Sequence, residues 1–156
     1  MRVLHVDLSE LERGGSAVFR APELEPAWRT LAEFGGSALG LACLWAHAQG
    51  DAHGVQPLVL AVGEAVRDGL PTAARAAVLS RAPLSGLYAE GHVGGELGAR
   101  LARVTDALVL SGRCAARGAV LVLEEDGRCA LVARPELVGA APADAARALE
   151  LEFAPC

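Results

Sequence analysis

Gly63-Glu-Ala-Val-Arg67-Asp-Gly-Leu-Pro71-Thr-Ala-Ala-Arg75-Ala-Ala-Val-Leu-Ser80-Arg-Ala-Pro-Leu-Ser-Gly86-Leu-Tyr-Ala-Glu90-Gly-His92-Val-Gly94-Gly95-Glu-Leu-Gly98 is the stretch on which the reading of this chain turns. Glycines and prolines punctuate short apolar runs, which is the mark of strands joined by tight turns. Arg75–Ser80 and Leu84–Glu90 read as strands parted by Ala82-Pro83. Gly94–Arg103 reads as a helix with Leu97 and Leu101 facing inward at i, i+4. One arginine, Arg75, enters a run otherwise made of Ala, Val and Leu. A buried, unpaired guanidinium would cost several kcal/mol, so Arg75 needs an anionic partner or an exposed position. Glycines beside an arginine let a phosphate or carboxylate approach the backbone closely. His92 is placed to hydrogen-bond such a ligand, or to sit as a surface loop histidine. Gly94, Gly95 and Gly98 at a helix start are compatible with an anion site.

Outward from this stretch, the same punctuation continues. Arg2–Leu8 alternates as a half-buried strand, and after Gly14-Gly15 the segment Ser16–Ala21 reads as its hairpin partner. Trp28–Phe34 and Ser37–Ala48 are helical by composition, the second apolar nearly all round and therefore expected to be buried. Gly50–Gln56 reads as a loop, Leu58–Val62 as a short buried strand and Ala107–Leu110 as another. Ala119–Leu123 and Arg128–Ala133 form a hairpin across Glu125-Asp126-Gly127. Ala143–Leu149 reads as a short helix with Asp144 suited to its dipole, and Leu149–Phe153 as a last strand. Strands outnumber helices and come in hairpins. The expected class is α+β: mostly antiparallel sheets, a buried central helix and two shorter helices, in a single domain over residues 1–156.

Composition bounds the function. Of 156 residues, 53% are hydrophobic, enough for a substantial core. All 14 basic residues other than His are arginine, yet the net charge is −5 and the arginines are scattered. The basic footprint of a nucleic-acid binder is therefore missing. Asp7 and Glu10 stand where a signal peptide would carry its apolar segment, and the longest apolar run, Gly36–Ala48, is too short for a membrane span. A soluble, cytoplasmic protein is expected.

Cys43, Cys114, Cys129 and Cys156 form no Cys-x-x-Cys pair, so reduced thiols are expected rather than disulfides or a closely spaced metal site. Cys43 and His47 lie at i, i+4 with Asp51 and His53 beyond. Without a second pair the expectation is a packed cysteine and a helix-capping histidine. Glu124-Glu125-Asp126 reads as a solvated turn. Glu64 and Asp68, around Arg67, read as a solvated loop. No nucleophilic catalytic set is present.

The order of these pieces resembles the N-terminal domain of the aldehyde:ferredoxin oxidoreductases, the tungsten-pterin enzymes. Val3-Leu-His-Val-Asp-Leu-Ser9 is similar to their opening strand. Phe34-Gly-Gly-Ser-Ala-Leu39 is similar to L-G-[GS]-R-G-L, Leu70-Pro-Thr-Ala-Ala-Arg75 to A-P-x-x-x-R, and Arg81-Ala-Pro-Leu-Ser-Gly86 to K-S-P-L-T-G. His92-Val-Gly-Gly-Glu-Leu-Gly98 resembles N-S-G-G-Y-F-G, and Asp106-Ala-Leu-Val-Leu-Ser-Gly112 resembles Y-D-A-I-V-V-E-G. The resemblance implies a base of β-sheets on which a tungsto- or molybdo-bispterin rests. It implies that Arg75 contacts cofactor phosphate and that His92, Gly94 and Gly95 lie against the pterins. The family's chemistry is two-electron oxidation of an aldehyde to a carboxylate, with ferredoxin as acceptor.

The departures shape the expectation. Ser37-Ala38 replaces Arg-Gly, His92 replaces Asn, and Glu64-Ala-Val-Arg67 replaces P-L-T-G. The family's A-G-R-G-G stretch and its cluster-bearing helical domains have no counterpart here. The chain is expected to hold no iron–sulfur cluster and to be non-catalytic alone. It would supply part of a cofactor site completed by a larger oxidoreductase subunit or by a second copy in a homodimer. The alternative is a cofactor-free accessory or interaction protein on a degenerate copy of the fold.

Overall fold

A computed structural model describes residues 1–50 and 56–153. Strand β1 (Val3–Asp7) leads into helix α1 (Leu8–Glu12), and β2 (Val18–Phe19) returns antiparallel to β1. Two helices follow, α2 (Pro26–Glu33) and α3 (Gly36–Gly50), then β3 (Leu58–Val62), the short α4 (Glu64–Arg67), β4 (Ala76–Arg81) and β5 (Tyr88–Val93). Helix α5 (Leu97–Val104) precedes β6 (Ala107–Ser111). The hairpin of β7 (Ala119–Leu123) and β8 (Cys129–Ala133), a 3₁₀ turn and α6 (Pro142–Phe153) close the chain.

Six strands form one sheet in the order β2-β1-β6-β3-β4-β5, and β7-β8 stand as a separate pair. All pairs in the larger sheet are antiparallel except β1 with β6, which run parallel. The α+β class with antiparallel pairing dominant is the class expected. The parallel pair is an addition, made because the chain returns to β1 through α5 rather than through a hairpin.

Alternation along the strands builds two cores. Val3, Val59, Ala61, Ala77, Leu79, Ala107 and Val109 face α3, whose Leu39, Ala42 and Cys43 complete that layer. Leu4, Val6, Val62, Ala76 and Leu108 face the other way, against Leu101 and Val104 of α5 and Leu121 and Leu123 of the hairpin. β1 is thus buried on both faces rather than half-buried, because helices cover one side and the hairpin the other. α3 buries Leu39, Cys43 and Leu44 as expected, but Trp45 stays 48% exposed and stacks on Trp28, ring centroids 5.9 Å apart.

Four expectations need correction. Arg2–Leu8 is cut short by α1, because Asp7 caps a helix by accepting from the Ser9 and Glu10 amides. β5 begins at Tyr88, not Leu84: residues 82–86 form a turn closed by Gly86 N–H donating to the Ala82 carbonyl at 2.8 Å. In α5 the buried positions are Gly98, Leu101 and Val104, while Leu97 is 40% exposed. Leu149–Phe153 is the end of α6, not a strand; the alternation of Leu149, Leu151 and Phe153 misleads, and Arg134 instead pairs with Glu152 and lies over Phe153. The expected loop Gly50–Gln56, with Asp51 and His53, falls almost wholly outside the described residues. Among the described residues no helix is long and apolar enough to cross a membrane.

Candidate functional site

The C-terminal end of β3, the N-terminal end of β4 and the far end of β5 meet the start of α3 at one edge of the sheet. A pocket of about 320 Å³ opens there, lined by Gly36, Ser37, Gly63, Val66, Thr72, Ala73, Arg75, Ala77 and His92. Antiparallel pairing sets this convergence, since Ala76 lies opposite Val93 and Ala77 opposite His92. Helix α5 closes behind it. A Cβ at Gly98 would lie 2.5 Å from the Ala74 carbonyl oxygen, so only glycine lets α5 pack against the backbone leading to Arg75.

Arg75 precedes β4 and is exposed. Among the described residues it has neither an ion pair nor a hydrogen-bond acceptor. Its guanidinium stays solvated, which resolves the cost of a charge in an apolar run. The amides of Gly36 and Ser37 open α3, so the first turn of a 15-residue helix faces the same pocket. Of the expected site residues, Arg75 and His92 are brought together. Gly94 and Gly95 follow β5 directly and are exposed, with Gly95 at φ +76°, but neither lines the pocket. His92 lies on a strand, not in a loop; Gly91 within the pattern hides the strand from sequence reading.

Glu90 is the residue that sequence reading missed. Ser37 Oγ and Tyr88 OH both donate to its carboxylate, and His92 Nε2 stands 3.3 Å from Oε1. These donors, Ser37 first and then Tyr88, hold the carboxyl below the usual range. Tyr88 is pushed up to about 12 by partial burial and by the Glu90 carboxylate. The available signal was the period-2 placement of Tyr88, Glu90 and His92, which puts three polar side chains on one face of a strand.

Asp106 was missed too. It is 3% exposed, accepts from the Arg2 amide at 2.6 Å, and faces Arg67 Nη1 at 3.4 Å. Arg67 therefore belongs to α4 and anchors it, where a solvated loop was expected. Glu64 and Asp68 beside it are exposed as expected.

A second hollow, about 970 Å³, lies on the α2–α3 side and is lined by His5, Arg20, Trp28, Cys43, Trp45 and His47 among others. Burial pushes the Cys43 thiol up to about 12 and pulls His5 down. Both groups are uncharged near neutrality, and Cys43 packs in the core as expected. Among the described residues no three His, Cys, Asp or Glu side chains gather as a metal site.

No functionally curated protein matches the sequence. Among solved structures, the fold resembles a chain of the active-site complex BamBC of benzoyl-coenzyme A reductase, determined with 1,5-dienoyl-CoA. The TM-score is 0.75 at 21% identity, over 97% of this chain and 22% of that one. This chain thus spans about a fifth of that neighbour's length, and the likeness is one of fold. A family model described as aldehyde ferredoxin oxidoreductase, N-terminal domain, matches residues 3–155. With that match over the ordered sheet, pocket and glycine turns described above, the chain belongs to the aldehyde ferredoxin oxidoreductase N-terminal domain family.

Proposed function

We propose that this chain is a single-domain module that holds one side of a pterin–metal cofactor within an oxidoreductase system, and that it does not catalyse alone. The observation that carries this reading is Arg75: an exposed guanidinium with no acceptor among the described residues, at the mouth of a pocket that the start of α3 also faces. Guanidinium and helix N-terminal amides are the donors a phosphate selects. Gly94 and Gly95 support the same fit, since nothing lies within 4 Å of where a side chain would begin at either position. A flat ring system can approach that backbone.

Arg75 would hold a cofactor phosphate, His92 would donate or accept at the pocket wall, and Gly94-Gly95 would let the cofactor come close to the backbone. When bound, a pterin-held tungsten or molybdenum supplies two-electron redox chemistry. The protein's part is to bind and orient it. The solved neighbour extends far beyond the region matched here, which supports completion of the cradle by a larger subunit or by a second copy. Among the described residues Cys43, Cys114 and Cys129 are free thiols, which fits a reducing compartment such as the cytoplasm.

Anaerobic purification after expression with tungstate or molybdate tests the proposal, using metal analysis and the fluorescence of oxidised pterin. Metal and pterin retained by the unaltered chain, and lost in Arg75→Ala, are expected. Protein free of both, with and without its co-purifying subunits, overturns it. The second reading, a cofactor-free accessory protein, is favoured by Glu90. A carboxylate held ionised behind the wall residues Ser37 and His92 repels phosphate, and the same metal analysis decides between the two.

A further inference from the structure

We propose that β5 is a self-pairing edge, through which two copies of this chain join antiparallel about Gly91 into one continuous sheet. β5 ends the sheet, and all six of its residues are exposed. Natural edge strands are usually blunted by proline, bulges, lysine or short length. This one has no proline, pairs with β4 without a bulge over its whole length, and belongs to a chain without lysine. The opposite edge, β2, is only two residues long and offers little to pair with. A bare edge of this length presents unpaired backbone donors and acceptors, the feature that strand addition uses.

The side chains select the partner and the register. Residues directly opposite each other in an antiparallel pair share a face. Tyr88, Glu90 and His92 share one face of β5; Ala89, Gly91 and Val93 share the other. Centring the pair on Glu90 sets two carboxylates opposite each other, which is destabilising. Centring it on His92 sets imidazole on imidazole and leaves Glu90 opposite Gly94. Centring it on Gly91 sets Glu90 opposite His92 twice and Ala89 opposite Val93 twice. The strand therefore matches its own reverse, a carboxylate acceptor against an imidazole and a small side chain against a larger one. That complementarity names a second copy, rather than an unrelated chain, as the occupant. The arrangement needs no cofactor, though it brings the two Glu90–His92 pairs to a common axis.

Cysteine cross-linking tests it. Opposite Cα atoms in an antiparallel pair lie about 4.5 or 5.5 Å apart, within the span of a disulfide. Gly91 has nothing within 4 Å of a built Cβ, so Gly91→Cys is accommodated by the fold. Under mild oxidation Gly91→Cys is expected to link to itself, at a yield well above the background set by the unaltered chain's own thiols. Ala89→Cys and Val93→Cys are expected to link poorly alone and well when mixed. Sedimentation velocity should show a dimer for the unaltered chain. Glu90→Arg should weaken that dimer about tenfold, by removing the carboxylate acceptor that faces each histidine and setting two donors opposite each other.

A monomer at all concentrations overturns the proposal. So does a dimer that links no better through residue 91 than through 89, or a complex formed only with a different chain. Cross-linked protein without pterin would sink the cofactor reading alone, and pterin-loaded monomer would sink this one alone.

Discussion

Arg67 and Arg75 stand eight residues apart on either side of one turn, and the fold uses them in opposite ways. Arg67 reaches back from α4 to Asp106, a carboxylate 3% exposed at the head of β6. That pair ties α4 to the middle of the sheet. Arg75 lines the pocket, and among the described residues no carboxylate pairs with it. The contrast teaches that an arginine's role is set by what the opposite strand offers. Asp106 sits across from β3's end, so the first arginine is committed to structure. Beside β4 and β5 the carboxylate is Glu90, already taken by Ser37, Tyr88 and His92, so the second remains available.

The contrast breaks most readily at Asp106. Asp106→Ala leaves the Arg2 amide without its acceptor and Arg67 without its buried counter-charge, and a stability loss of about 3 kcal/mol is expected. For a chain of this length that lowers the melting temperature by about 6–12 °C, measured calorimetrically. A loss under about 1 kcal/mol would mean that Arg67 is as free as Arg75.

Gly98→Val is next. Its Cβ meets backbone, which cannot yield cheaply, so a loss of about 2 kcal/mol is expected in urea unfolding with an unchanged slope. Unaltered stability would mean that α5 does not hold Arg75's approach in place.

Titration sharpens the comparison at Glu90. The chain has one tyrosine, so absorbance near 295 nm reads Tyr88 directly. Ionisation at about 12 is expected, with a lower value in Glu90→Gln. The sign follows from a raised folded value: the stabilisation is present below the unfolded value of about 10 and is lost as pH rises through about 12. For Glu90 the folded value is lowered, so its stabilisation is present above the usual carboxylate range and is lost on acidification. The advantage of the unaltered chain over Glu90→Gln should therefore shrink in acid.

The smallest effect belongs to Arg75. Arg75→Ala should change stability by less than about 0.5 kcal/mol, because an exposed, unpartnered side chain leaves nothing buried behind. A larger loss would place Arg75 beside Arg67 as a structural residue.

Much of the fold was legible in residue order. Short, continuous apolar runs at Leu58–Val62 and Ala107–Leu110 marked buried strands, and Asp126-Gly127 marked the hairpin turn, because run length and turn chemistry are local. What failed was also local, in appearance. Leu149, Leu151 and Phe153 alternate like a strand but lie in helix α6, whose end is held by Arg134 pairing with Glu152 and lying over Phe153. Gly91 looked like a loop residue but lies in an edge strand, where a missing side chain costs little packing.

The candidate site was half legible. Arg75 and His92 stood out as polar residues among glycines, and both line the pocket. Glu90 and Asp106 did not stand out, because a carboxylate's meaning depends on the donors that surround it. Ser37 lies 53 positions from Glu90, and Arg2 lies 104 from Asp106.

The sequence by itself determined the class, the turns and the family, since hydrophobic period, glycine placement and motif order are all written along the chain. Only the tertiary structure decided which arginine is committed to a buried carboxylate and which lies exposed at the pocket, and which strand is left as an edge. Those depend on partners far apart in sequence, brought to contact distance by the pairing of β1, β6, β3, β4 and β5.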